Sequence, residues 1–198
     1  MAIDELPNVD AEATADLLER ARRSACWLQT LTENLSSATC LETGTFDIRP
    51  ETIDVLECVE SATALVKALL EQRRQTVRIT CSAPSTSASA DPARVTQIVA
   101  NLLTNASRYS VEGDEIEVHL SSVGPKLRVR VTDHGPGISP EAQQRIFERW
   151  VRGEDAARGG LGLGLNIVRR LVEEQGGRVG VDSTLGQGAT FWFTLQAP

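Results

Sequence analysis

Residues 115–133 hold the pattern that most restricts how this chain can fold. Glu115-Ile-Glu-Val-His-Leu-Ser-Ser122 and Lys126-Leu-Arg-Val-Arg-Val-Thr-Asp133 both alternate apolar with polar side chains, and only Val-Gly-Pro separates them. Successive strand side chains point to opposite faces, so the alternation predicts an antiparallel hairpin with one face in a core and one in solvent. Such a sheet must be covered on its apolar side by something else.

Helical segments that can cover it stand on both sides in sequence. Ile53 to Gln75 places Val55, Val59, Ala62, Val66, Leu69 and Leu70 at helical spacing and leads into a strand, Val77 to Thr80. Ser82 to Ala90 is small and polar without period and reads as a loop. Asp91-Pro92 supplies an N-cap with proline in the first turn, opening a helix to about Tyr109 whose core face is Val95, Ile98, Val99, Leu102 and Leu103. Beyond the hairpin, residues 134–164 form a long glycine-bearing excursion with one short amphipathic piece, Glu141 to Trp150. A helix from Leu163 to Gln175 follows, then a strand Arg178 to Asp182, a turn Thr184 to Gly188 and a strand Ala189 to Leu195. The expected fold class is an α/β (α+β) sandwich, a mixed and mostly antiparallel sheet covered on one face by helices.

Ahead of this domain, Asp10 to Leu41 contains no Gly or Pro, and its apolar stripe steps close to a heptad. It reads as one long helix packing in a bundle or dimer, with docking on the following domain as the alternative. Gly44 stops it, and Thr45 to Arg49 alternates like a short strand. The expected division is 1–44 for the helix and 45–198 for the domain that follows.

Composition removes several classes of function. The net charge is −7, the aromatic fraction is 4%, and the basic residues are dispersed, so no nucleic-acid surface is indicated. Four cysteines stand far apart without a Cys-x-x-Cys pair, and with 2 histidines no histidine-rich metal site can be built. The cysteines read as small apolar side chains in a reducing compartment. No apolar run approaches membrane-span length, and no signal peptide opens the chain. The expected location of this part is cytoplasmic, with membrane anchoring of a larger protein left open.

Four stretches carry candidate chemistry. Asn101, Asn105 and Arg108 step by four and three, so one helix face presents two amides and a guanidinium; an amide oxygen suits magnesium, although isolated asparagines are commonly surface residues. Asp133-His-Gly135-Pro-Gly137-Ile138 stands where a strand ends, where a carboxylate can accept from an exocyclic amine and Cβ-free backbone can approach a flat ring; a plain turn is the alternative. Gly159-Gly160-Leu-Gly162-Leu163-Gly164-Leu165-Asn166 runs into a helix start, which offers N–H groups to phosphates. It matches neither the dinucleotide fingerprint nor a P-loop. Gly186-Gln-Gly188-Ala-Thr190 is a tight turn entering the last strand.

In this order and spacing the four stretches, together with Phe147-Glu-Arg-Trp150, resemble the N, glycine and F boxes of bacterial sensor histidine kinases over about residues 45–198. The resemblance implies a Bergerat ATP-binding fold, shared with gyrase, HSP90 and MutL, and the cofactors ATP and Mg2+. It makes Asn105 the metal ligand, Asp133 the partner of the adenine amine, and Gly135 and Gly137 the turn around the base. Gly160, Gly162 and Gly164 become the phosphate-facing part of a lid over about 138–164, anchored by Phe147. Tyr109, Ile138, Leu163, Leu165 and Thr190 complete the nucleotide contacts. Asn101 and Arg108 are the catalytic candidates. Arg108 stands where the family usually has lysine, and its planar fork leaves the phosphate contact open. Arg149, Arg152 and Arg158 are further γ-phosphate candidates, or solvated charges. Asn101 occupies the position of the water-activating glutamate of the hydrolases, and an amide is no base at neutral pH. Transfer to a reactive acceptor is therefore expected over hydrolysis.

The acceptor in that family is a histidine on the first of two dimerisation helices. Neither His119, in a strand, nor His134, in the glycine turn, fits it. Residues 10–41 resemble the second of those helices. Either the chain is a piece cut between the helices or it lacks its own acceptor, and the unburied stripe of a lone helix favours the first. The expected partners are a histidine-bearing dimerisation domain, in trans or in a missing N-terminal part, a response regulator, and a second copy through the N-terminal helix. The alternatives are a kinase-like ATP-binding module that regulates a partner without phosphotransfer, and a serine kinase of the anti-sigma type.

Overall fold

The computed structural model describes residues 47–148 and 163–198. The expected helix over 10–41, the boundary near Gly44, and Arg149, Arg152, Arg158, Gly160 and Gly162 lie outside the described residues.

The elements in chain order are β1 (Glu51–Asp54), α1 (Val55–Gln72), β2 (Thr76–Cys81), β3 (Ser87–Ala90), α2 (Pro92–Tyr109), β4 (Glu115–Val123), β5 (Lys126–Asp133), α3 (Pro140–Arg145), α4 (Gly164–Glu174), β6 (Val179–Ser183) and β7 (Ala189–Gln196). The predicted hairpin is β4 and β5, paired antiparallel from Glu117↔Thr132 to Val123↔Lys126. β5 pairs antiparallel with β7 along its whole length, Lys126↔Gln196 to Asp133↔Ala189. β2 lies parallel to β4, and the long crossover that a parallel pair requires contains α2. The far edge of β7 is shared by β6 and, at Gln196, by β3, which pairs in turn with β1. The sheet is thus mixed and mostly antiparallel.

The alternation sorts the two faces. Ile116, Val118 and Leu120 of β4, Leu127, Val129 and Val131 of β5, and Phe191, Phe193 and Leu195 of β7 are buried. So are Val95, Ile98, Val99, Leu102 and Leu103 of α2, Ile167, Val168, Leu171 and Val172 of α4, and Val55, Val59, Ala62, Val66 and Leu70 of α1. On the opposite face the Arg128 guanidinium lies 4.7 Å from the Trp192 ring centroid. Gly180 gives that ring room, since a Cβ there would stand 2.2 Å from it. Among the described residues no helix is long and apolar enough to cross a membrane.

Several expected boundaries shift. The first strand among the described residues is Glu51–Asp54, with Ile53 buried and paired to Ala88, and of the strand expected over 45–49 the described residues 47–49 are not in one. Ile53 is therefore not helical: Asp54 caps α1, its Oδ1 accepting from Leu56 N at 2.9 Å. The segment expected as loop contains β3, whose Ala88 and Ala90 are fully buried. The short piece after Pro140 ends at Arg145 rather than Trp150. Cys58 is buried but Cys81 is exposed, so the apolar role expected of the cysteines does not extend to Cys81.

α1 ends in a Schellman-type cap, with Gln75 N donating to Leu70 O and Arg74 N to Glu71 O. Arg74, at φ 53°, occupies the left-handed position that glycine usually fills. Arg74→Gly is expected to relieve about 1–2 kcal/mol of strain against about 0.5–1 kcal/mol of added chain freedom. The exposed Arg74–Glu112 pair lost with it, at 3.7 Å, contributes little. A Tm rise of about 1–4 °C should appear on thermal unfolding, and a fall would contradict this account of the cap.

Candidate functional site

Asp133 closes β5 opposite Ala189 and is 3% exposed. Its Oδ1 accepts from Gly135 N at 2.9 Å and from Ala189 N at 3.3 Å. Both backbone donors fall on one oxygen, which leaves Oδ2 as the acceptor for a ligand. Burial pushes the Asp133 pKa up, against the pull of the Gly135 and Ala189 amides and of His134, while Asp114 adds to the rise.

The backbone around this carboxylate admits no side chains. Gly188, at φ 77°, would put a Cβ 2.0 Å from Asp133 O, and Gly137, at φ 75°, would put one 2.1 Å from Thr184 O. A Cβ on Gly135 would meet Tyr109 O at 2.8 Å and Asp133 Oδ1 at 2.9 Å. The first glycine turn and the last one are also fastened to each other. Gly186 N donates to Pro136 O at 2.7 Å, and Ile138 N donates to Ser183 Oγ at 2.9 Å, which itself donates to Gly188 O at 2.6 Å. Gln143 Nε2 donates to both Ile138 O and Ser183 O. Thr190 Oγ1 lies 3.0 Å from Thr132 Oγ1 on the adjacent strand.

The helix face predicted to carry polar groups does so. α2 is capped by Asp91, whose Oδ1 accepts from Arg94 N. Asn101, Asn105 and Arg108 are half-buried along it. Asn101 Nδ2 donates to Gln97 O, and its Oδ1 stands 3.4 Å from where a Cβ on Gly164 would be. The start of α4 therefore reaches the asparagine face. Leu163 caps α4 with no side-chain hydrogen bond, so that residue's side chain leaves the first-turn N–H groups free for an anion. Leu163 is buried and Leu165 half-buried. Phe147 packs edge-to-face on Phe191, ring centroids 6.3 Å apart, and its carbonyl accepts from Asn166 Nδ2 at 2.9 Å.

The structure thus brings together Asp133, Gly135, Gly137, Ile138, Thr190 and, through its carbonyl, Tyr109; it separately brings Asn101 to Gly164. Sequence reasoning missed Ser183, Gln143 and Asn166. Each bonds main-chain groups far away in the chain, and no local pattern marks such residues.

These residues fit a purine nucleotide with a phosphate-borne cation. The buried carboxylate with one oxygen uncommitted suits an exocyclic amine. The Asn105 amide makes no hydrogen bond to a described side chain or carbonyl. Among the described residues no three His, Cys, Asp or Glu side chains cluster to hold a metal. A magnesium ion at Asn105 would therefore draw most of its shell from water and phosphate oxygens, as that ion commonly does.

The raised pKa of Asp133 has a definite sign. Its favourable contribution to folding is complete below the ordinary aspartate range and is lost as pH rises through the raised value. Asp133→Asn keeps an acceptor for the two amides and removes the charge. Its Tm at pH 7 is expected to equal or exceed the wild-type value, with that pH dependence flattened. If Oδ2 receives the amine of an adenine nucleotide, affinity for that nucleotide should fall about 10- to 100-fold, since an NH2 group would stand in its place. Thermal scans across pH and calorimetric titration check the pair; retained affinity would contradict the assignment.

Residues 90–198, more than half of the chain, match the family described as histidine kinase-, DNA gyrase B- and HSP90-like ATPase. The sensor histidine kinase AruS of Pseudomonas aeruginosa is 46% identical over 108 residues, 50% of this chain and 11% of that protein. The adaptive-response sensory kinase SasA of Crocosphaera subtropica is 43% identical over 108 residues, covering 54% of this chain and 28% of SasA. The chain thus spans well under half the length of these relatives. Full-length ShkA, solved in complex with AMPPNP, superposes with TM-score 0.76 at 29% identity, covering 97% of this chain and 40% of ShkA. The mycobacterial sensor histidine kinase MprB gives TM-score 0.65 at 27% identity over 76% of this chain and 99% of the MprB chain. With the buried aspartate, the fastened glycine turns and the asparagine face all in place, this chain belongs to the histidine kinase-, DNA gyrase B- and HSP90-like ATPase family.

Proposed function

We propose that this chain is the ATP-binding catalytic module of a sensor histidine kinase and passes the γ-phosphate of ATP to a histidine that the chain itself does not supply. The buried Asp133, with one carboxylate oxygen uncommitted, is the observation that carries the reading. Asp133 Oδ2 receives the adenine amine, and the glycine turn at 135–137 lies against the base. Asn105 holds a magnesium ion that neutralises phosphate charge when bound. Arg108 and the N–H groups at the start of α4 draw the phosphates into line, so catalysis is chiefly positioning and charge neutralisation. An acceptor imidazole nitrogen forms the new N–P bond as the bridging P–O bond breaks, and ADP leaves with the bond's electron pair.

Asn101 supports transfer over hydrolysis. Its Nδ2 is committed to Gln97 O and its amide has no proton affinity at neutral pH, so no base stands there to activate water. Neither histidine suits the role of acceptor. His119 lies on the open sheet face with both ring nitrogens against hydroxyls, Thr80 at 2.8 Å and Ser82 at 3.0 Å. His134 Nδ1 lies 3.1 Å from Glu115 O. The proposed partners are accordingly a histidine-bearing dimerisation domain and, downstream of it, a response regulator. The division at residue 44, the lid over 138–164 and pairing of two copies through residues 10–41 belong to the same proposal.

Incubation with γ-labelled ATP, alone and with a separate histidine-bearing helical hairpin, tests it. Label is expected on the hairpin only, and acid-labile label on the isolated chain would refute the proposed absence of an acceptor. Asn105→Asp sets a carboxylate against the phosphates and is expected to slow transfer about 100-fold or more, about 2.7 kcal/mol of barrier. Unchanged transfer would remove Asn105 from the site. Unchanged control of a partner despite lost transfer would favour the module that regulates without phosphotransfer.

A further inference from the structure

The end of α2 is held from beneath by a buried amide outside every stretch that suggested a nucleotide site. Gln75 is 5% exposed, and Ser107, which it meets, is fully buried. Gln75 Nε2 donates to Ser107 O at 3.1 Å and to Val111 O at 3.0 Å, and its Oε1 accepts from Ser107 Oγ at 2.6 Å. Those two carbonyls stand immediately before Arg108 and immediately after Ser110, so one side chain brackets Arg108, Tyr109 and Ser110. The same turn adds Arg73 Nη2 to Ser110 O at 3.0 Å and Gly113 N to Arg73 O at 2.9 Å.

An independent feature aims this amide. Arg74 is the one non-glycine among the described residues with positive φ, and it immediately precedes Gln75. The left-handed residue reverses the chain at the end of α1 and turns Gln75 inward under α2. Such strain persists only where the surroundings enforce it. What the clamp fixes is the part of α2 that meets the site: Tyr109 O backs Gly135, and Arg108 projects from the same turn.

We propose that Gln75 is a positioning residue for the nucleotide site, setting the last turn of α2 so that Arg108 is presented to the ligand. This rests on the nucleotide reading above. Gln75 touches no ligand and acts through the carbonyls of Ser107 and Val111. Its removal leaves the buried Ser107 carbonyl and hydroxyl without this partner, and Val111 O with Asp114 N alone at 3.3 Å, so the helix end then frays.

Gln75→Met keeps length and volume and removes the hydrogen bonds. A double-mutant cycle with Arg108→Ala, read as ATP–Mg affinity by calorimetry well below Tm, separates positioning from general destabilisation. Gln75→Met is expected to weaken ATP–Mg binding about tenfold in the wild-type background and less than twofold in the Arg108→Ala background. Val66→Ala, a core truncation on α1 away from this turn, should leave affinity unchanged. No loss on Gln75→Met, or equal losses in both backgrounds, overturns the proposal. Amide hydrogen exchange at Tyr109 and Ser110 reads the clamp without nucleotide: it should accelerate at least tenfold in Gln75→Met and not in Val66→Ala, and unchanged exchange overturns the proposal as well. If the wild-type chain binds no ATP, the nucleotide reading fails by that result, whereas the exchange measurement still decides the clamp.

Discussion

A carboxylate taken out of water at the end of a central strand governs this structure. Burying Asp133 is unfavourable unless donors meet it, and the Gly135 and Ala189 amides do so on one oxygen. Those two amides belong to segments separated by more than fifty residues. To present them together, β5 and β7 must pair in the register that sets Asp133 opposite Ala189. A shift by one residue would turn Phe191 and Phe193 out of the core. The hydrophobic ladder and the polar site therefore specify the same register.

The remaining parts of the site depend on that frame. Gly137 and Gly188 are compelled by backbone approaches of 2.1 Å and 2.0 Å to any added Cβ, so the two turns can close only as they do. Ser183 and Gln143 then lock one turn to the other through main-chain oxygens. α2, packed on the inner face by Ile98, Val99, Leu102 and Leu103, sets the Tyr109 carbonyl against Gly135 and the Asn101 amide against the start of α4. With few groups able to accept a proton, such a site favours chemistry driven by alignment and charge over chemistry driven by a base.

Much of this was legible in the sequence where one physical rule acted alone. Strict alternation disclosed β4 and β5, and Asp91-Pro92 disclosed the start of α2, because pleat geometry and capping are local. β3 escaped because Ser87–Ala90 has no strand-forming side chains; its place comes from pairing with β1 and from two buried alanines. Ile53 was misread as helical because it continues an apolar spacing that the Asp54 cap interrupts. Within the site, Asp133 and its glycines were legible as a cluster. Ser183, Gln143, Asn166 and Gln75 were not, because their partners are chiefly main-chain groups that every residue possesses.

In the proposed site Asp133 Oδ2 reads the exocyclic amine of adenine, and replacing that amine by an oxygen probes this contact. Calorimetric titration of the wild-type chain with ATP–Mg and with inosine triphosphate–Mg compares ligands with the same phosphates and ribose that differ at that group. The account predicts that ATP binds about 10- to 100-fold more tightly, because the carbonyl of inosine sets acceptor against acceptor in a buried site. Equal affinities would contradict it.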